Sequence, residues 1–265
     1  MKLHYWRTIA NFGDQLNAWI WDKVLPGIFD EDPEVLFFGI GTLLNGEAPR
    51  AKRVVVLGTG VGYGAPISEP DPSWEIYCVR GPLSAMALGL STSAAASDPA
   101  ILIPRLFEST GARRHRFAFM PHWRSASELH KRLCSDLGVN YVSPAQPVEQ
   151  VLEQIASSEV MITEAMHGAI AADALRVPWV AVHDKRNEDT LLSKWQDWCL
   201  SLALDHQPKF LTPEEDFDAQ MRRLMHTARP RLSRQLRFQQ ALDRVDRAID
   251  RFKDDLELGK FRAVG

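Results

Sequence analysis

The stretch from Val160 to Lys185 constrains the fold more tightly than any other part of this chain of 265 residues. Val160-Met-Ile-Thr163 is a short apolar run suited to a parallel strand buried on both faces, and Ala169 to Leu175 sets small and apolar residues at helical spacing. Val177-Pro178 cannot continue a helix, so Trp179 to Val182 begins a second strand. In such a unit the carboxyl end of the first strand and the amino end of the helix form the ligand crevice. His167 falls there, and Lys185 emerges from the neighbouring strand at the same sheet edge. A helix N-terminus favours anions. An imidazole and an ammonium beside it point to proton chemistry on an anionic substrate.

The same alternation runs through the rest of the chain and predicts two α/β halves. In the first, strands are expected at Leu3 to Trp6, Val35 to Phe38, Val54 to Leu57 and Ile76 to Val79. A helix from about Asp14 to Val24 shows Leu16, Trp19, Ile20 and Val24 on one face, so it covers a sheet. Glycine-rich turns follow two strands, Gly39-Ile-Gly41-Thr42 and Gly58-Thr-Gly60-Val-Gly62-Tyr-Gly64, while Arg80-Gly81-Pro82 closes a third and opens a helix. Residues 105–116 mix charge with Ser, Thr and Gly and read as a linker. Beyond it, Phe117 to Met120 is a strand, and Ser125-x-x-Glu128 is a capping box for a helix ending at Leu137-Gly138. A short strand near Tyr141-Val142 and a helix over Val148 to Ser157 precede the His167 unit. The arginine-rich tail from Arg222 to Lys253 is helical in pattern, and Pro230 divides it into two helices.

Composition removes several classes of function. An apolar content of 45% supports a substantial core, and a net charge of −3 implies no bulk field for nucleic acid. Cys78, Cys134 and Cys199 lack paired-ligand spacing, which argues against a zinc site and against a disulfide framework and favours the cytoplasm. The N-terminal residues lack the apolar core of a signal peptide, and no segment approaches the roughly 20 apolar residues of a membrane span. Peripheral contact with the inner membrane face through the basic tail is the expectation that fits, against a solvated or internally paired face.

Each motif also has a plain structural reading. Gly60-x-Gly62-x-x-Ala65 matches a dinucleotide fingerprint only nominally, because Pro66, Pro70 and Pro72 follow where a helix should open. Asn11-Phe-Gly13-Asp14 reads equally as a helix cap, and Ser97-Asp98-Pro99 as a turn or cap first. Arg80 at a strand end suits phosphate or carboxylate, or is a surface arginine; His167 and Lys185 are a site pair, or a structural histidine and a solvated lysine.

Taken in order, Asn11-Phe-Gly-Asp-Gln-Leu-Asn17, Phe38-Gly-Ile-Gly-Thr-Leu-Leu44, Leu57-Gly-Thr-Gly-Val-Gly62, Val79-Arg-Gly-Pro-Leu-Ser84, Ser97-Asp-Pro-Ala-Ile-Leu102, Pro121-His122 and Glu164-Ala-Met-His-Gly-Ala-Ile170 resemble the polysaccharide pyruvyl transferase family, in particular its bacterial exopolysaccharide ketal-pyruvate transferases. The resemblance implies two Rossmann-like domains facing a cleft, similar to GT-B enzymes: residues 1–110, residues 115–215 carrying the His167 motif, and basic C-terminal helices over 216–265. It implies transfer of the enolpyruvyl unit of phosphoenolpyruvate onto two hydroxyls of a sugar, giving a cyclic ketal, with no further cofactor or metal. The acceptor implied is a lipid-linked oligosaccharide. By position, the family's catalytic histidine falls at His167, its arginine at Arg80 and its lysine at Lys185. Asp14 or Glu164 would serve as base, and Asn11, Gly13, Gly41, Thr42, Gly60, His122 and Gly168 would line the substrate. Ala165 stands where many members carry arginine, leaving Arg124, Arg186 and His122 as candidates to complete a phosphate site. The rival expectations are a nucleotide-sugar glycosyltransferase of the same fold and a non-catalytic polysaccharide assembly protein.

Overall fold

A computed structural model describes residues 1–65, 67, 69–185, 192–212 and 214–261. Among these the strands form two all-parallel sheets, one in each half. The first contains β1 (Lys2–His4), β2 (Val35–Phe38), β3 (Arg53–Leu57) and β4 (Trp74–Cys78), side by side in chain order. The second contains β5 (His115–Met120), β6 (Asn140–Tyr141), β7 (Ser158–Thr163), β8 (Trp179–Asp184) and β9 (Lys209–Leu211), in the order β6-β5-β7-β8-β9. That order reverses direction between β5 and β7, and the loops leaving these two strands splay apart into a crevice. Every residue of β8 is buried, as a central parallel strand requires. The helices are α1 (Phe12–Val24), α2 (Pro82–Ala87), α3 (Ile103–Leu106), α4 (Glu128–Asp136), α5 (Val148–Ala156), α6 (Met166–Ala174), α7 (Leu192–Ser201), α8 (Phe217–Thr227) and α9 (Gln235–Glu257). The chain therefore has the two-sheet, Rossmann-like α/β architecture expected of it.

Helix α1 sets the relation of the halves. Its Leu16, Ile20 and Trp21 are buried, and the Trp21 indole meets Phe37 of β2 edge-on. Its other side lies on α5 and α6: Trp19 and Lys23 both donate to Glu149, and the amide of Phe12 donates to the Pro144 carbonyl at 2.7 Å. One apolar core consequently runs from Leu3 and Phe37 through α1 to Ile155, Ile170 and Trp195. The N-terminus of α1 is held against the N-terminus of α6 as a result.

Two helix starts differ from the sequence reading. Helix α4 starts two residues late, capped by the Ser127 hydroxyl on the His130 amide, because Ser125 is drawn into a bond with Glu164. Helix α6 starts at Met166, so His167 lies within its first turn. As expected from the prolines, the residues described between 61 and 73 contain no helix to complete a dinucleotide fingerprint.

The tail forms the two expected helices, but packing divides them. Met221 and Leu224 of α8 join Phe119, Ile162 and Val180 on the second sheet. Helix α9 crosses back to β4, burying Phe238, Ala241, Leu242, Val245, Ala248, Ile249 and Phe252 in a stripe of helical period. Two of its arginines serve the fold: Arg244 donates to the Ala96 and Ser201 carbonyls and Arg251 to the Tyr77 carbonyl. On α8, Arg222 pairs with Asp218 and Arg223 with Glu215. Arg244 and Arg251 thus brace the fold, while Arg222 and Arg223 stay more than half exposed in surface ion pairs. No helix among the described residues is long and apolar enough to cross a membrane.

Candidate active site

At the reversal point, β5 delivers Pro121, His122, Trp123, Arg124 and Ser125, and β7 delivers Glu164 and the first turn of α6. Glu164 is buried, and its Oε2 accepts from the His122 amide at 2.9 Å and from the Ser125 hydroxyl. Its carboxylate therefore shapes the loop after β5, a role at odds with its expected use as a base. Gly168 serves packing: a side chain there would collide with Thr163 and with the Met120 sulfur.

His167 is the second residue of α6, with its side chain 14% exposed. Nε2 faces Oδ2 of Asp98 at 3.4 Å, and neither atom makes an aligned hydrogen bond to any described residue. The other Asp98 oxygen caps the turn at Pro99 by accepting from the Ala100 amide at 2.9 Å. Asp98 is thus both the cap expected from Ser97-Asp98-Pro99 and the carboxylate behind the imidazole. A carboxylate at Nε2 favours the tautomer protonated there and turns Nδ1 toward α1. A Cβ on Gly13 would overlap Nδ1, so only glycine lets the first turn of α1 approach the ring.

One residue further along α1, Asp14 accepts from the Asn11 amide group at 2.7 Å. Burial raises its pKa above the ordinary carboxylate value, opposed by that hydrogen bond and by the nearby charges of His167 and Lys194. Asn11, not Asp14, is the N-cap residue, and its side chain is committed to Asp14 instead of to the helix backbone.

Arg80 takes a different part from the one expected. It is 0% exposed, and its guanidinium donates to the Gly41 carbonyl, the Thr42 hydroxyl, the Val61 carbonyl and Asp197, each within 3.0 to 3.1 Å. Asp197, on α7, also accepts from the amides of Leu83 and Ser84 and from the Ser84 hydroxyl, closing the N-terminus of α2. A side chain at Gly60 would strike the guanidinium, and Gly41 adopts φ +118, a value reserved to glycine. Gly41, Thr42 and Gly60 therefore build a cradle for Arg80, and the arginine ties loops together where an anion clamp was expected.

Lys185 is exposed at the end of β8, its ammonium 5.9 Å from the Phe210 ring centre and its amide bonded to Leu211. The structure does not bring it to the Asp14–His167 cluster. Arg186 lies outside the described residues. A lysine that the sequence reading passed over is present instead: Lys194 of α7 donates to the Tyr63 hydroxyl at 2.5 Å. Its signal was available in Lys194-x-x-Asp197, two charges one turn apart on a helix otherwise rich in tryptophan.

Three histidines near the crevice are held neutral. Burial, with Lys194 and Arg124 nearby, pushes His122 down to about 4. Burial and the neighbouring His206 push His183 to about 3, and burial with Arg231 pushes His206 to about 4; their Nε2 atoms meet at 3.2 Å. Each has a folded pKa below its ordinary 6.5, so the unfolded chain takes up protons first on acidification. Stability should be intact above pH 6.5 and fall from there toward pH 4, as the unfolded chain takes up protons that the folded imidazoles do not. Urea unfolding at stepped pH checks this, and a flat profile between those limits would show that the imidazoles are not buried neutral.

The model of the polysaccharide pyruvyl transferase family matches residues 11–183, which hold Asn11, Asp14, Arg80, Asp98 and His167. The chain belongs to that family. Succinoglycan biosynthesis protein ExoV of Rhizobium meliloti (strain 1021) is 41% identical over 214 residues, 79% of this chain and 67% of that protein. Among solved structures, the calicheamicin glycosyltransferase CalG4 aligns at TM-score 0.40 and 12% identity, over 95% of this chain and 71% of its own. As a polysaccharide pyruvyl transferase, the chain is an enzyme acting on polysaccharide. Lys185 and Lys194 both lie beyond the part that the family model matches.

Proposed function

We propose that this pyruvyl transferase moves the enolpyruvyl unit of phosphoenolpyruvate onto two hydroxyls of a sugar in an exopolysaccharide repeat unit, the acceptor being lipid-linked, and releases phosphate. The observation that carries the reading is the His167–Asp98 pair set against Gly13 and Asp14 where two helix N-termini meet. His167 gives a proton to C3 of the donor, which makes C2 electrophilic. The first acceptor hydroxyl bonds to C2 as Asp14 takes its proton. A buried carboxylate of raised pKa is the stronger base, and return of its proton to His167 restores both groups for the next turnover. The C2–O bond to phosphate then breaks, and the second hydroxyl closes the ring, its proton leaving with the phosphate. The amino ends of α1 and α6 supply partial positive charge for the anionic donor, and Asp98 stabilises the imidazolium between proton transfers.

Incubation with phosphoenolpyruvate and lipid-linked oligosaccharides should yield an acceptor heavier by one ketal-linked pyruvate and one equivalent of phosphate, read by mass spectrometry and a phosphate assay. Transfer from a nucleotide sugar with no use of phosphoenolpyruvate would overturn the proposal.

A further inference from the structure

Lys194 differs in its surroundings from the other paired lysines of the chain. Lys2, Lys23, Lys52, Lys131 and Lys260 each lie within ion-pair distance of a carboxylate. The only hydrogen-bond partner of Lys194 among the described residues is the neutral hydroxyl of Tyr63, and no carboxylate of those residues is within ion-pair reach. It is nevertheless only partly exposed, facing the loops at the strand ends. The groups acting on it from neighbouring elements are Asp14 of α1, Arg80 after β4 and Tyr63 after β3, and its own charge is felt by His122 after β5 and His183 of β8. Arg124 adds positive charge beside Tyr63 and His122. An ammonium partly removed from water with no carboxylate in direct contact is unfavourable unless a ligand brings one.

We infer that Lys194, steadied by the Tyr63 hydroxyl, is the binding partner of a phosphate-type anion, with α7 carrying it from the second half to the glycine-rich loops of the first. The inference rests on the pyruvyl-transfer reading for the source of that anion, the donor phosphate or the phosphate released. It also separates two functions of one helix: Asp197, a turn further on, fixes Arg80, and Lys194 meets the ligand. Burial, with Arg80 nearby, lowers the lysine to about 8, so an arriving anion should draw a proton onto it.

Titration calorimetry at about pH 8, in two buffers of different ionisation enthalpy, tests this with phosphoenolpyruvate and inorganic phosphate as separate probes. The wild type should bind with net proton uptake. Lys194→Met should bind roughly ten- to a hundredfold more weakly, the loss of one charge-assisted contact, and without uptake. Lys194→Arg should keep more of the affinity but also take up no proton, since guanidinium is always charged. Melting temperatures show whether the variants fold, and Lys194→Gln replaces the methionine variant if it does not. Wild-type affinity and uptake in a folded Lys194→Met or Lys194→Gln protein overturn the assignment, as does a wild type that binds neither probe. Lys194-dependent binding of inorganic phosphate without binding of phosphoenolpyruvate would uphold the anion site and defeat the donor reading.

Discussion

Arg80→Ala is expected to lower the unfolding free energy by about 3–5 kcal/mol, the range for breaking a buried ion pair by deleting one partner. The loss arises from what stays behind. Asp197 would keep its charge 1% exposed with only the α2 amides and Ser84 as partners, and the carbonyls of Gly41 and Val61 would lose their guanidinium donors. Lysine should not restore stability, because one ammonium cannot span Asp197, Thr42 and two carbonyls as a planar fork does. Chemical denaturation of Arg80→Ala and Arg80→Lys checks both statements. A variant of wild-type stability that binds the donor poorly would return Arg80 to the role of anion clamp.

His167→Ala should leave the fold intact and reduce kcat by about a hundredfold or more, the usual scale for removing a positioned acid–base group. The ring's Nε2 makes no aligned hydrogen bond to any described residue, so its removal breaks none there. Asp98→Asn should also lower kcat, since it removes the charge behind Nε2. Phosphate release under saturating donor and acceptor is the measurement. Turnover near the wild-type value in His167→Ala would take the histidine out of the mechanism.

Much of the frame was legible because parallel strands buried on both faces announce themselves as short apolar runs, as at Val35 to Phe38 and Val54 to Leu57. His167 was placed correctly at the start of a helix because Glu164-Ala-Met-His follows such a run directly. The part played by Arg80 was not legible: its partner Asp197 lies 117 residues away, and no local pattern records a pairing of that span. The same holds for Lys194 and Tyr63, 131 residues apart, whose meeting depends on how α7 crosses to the loop after β3. Ser125 misled for a related reason, since Glu164 took the hydroxyl that the capping box had claimed and Ser127 capped the helix instead.

The return of α9 to β4 has a consequence for the order in which the protein can be made. Phe252 packs against Phe37 and Tyr77, and Arg251 holds the Tyr77 carbonyl from 174 residues away. The first sheet therefore cannot finish its interior while it leaves the ribosome. Part of its apolar face, covered only on the side of α1, must wait until α9 has been synthesised. Contacts of such long range close slowly, and a chain that defers them exposes sticky surface in the interval. The strands of the first sheet are thus translated long before the helix that seals them.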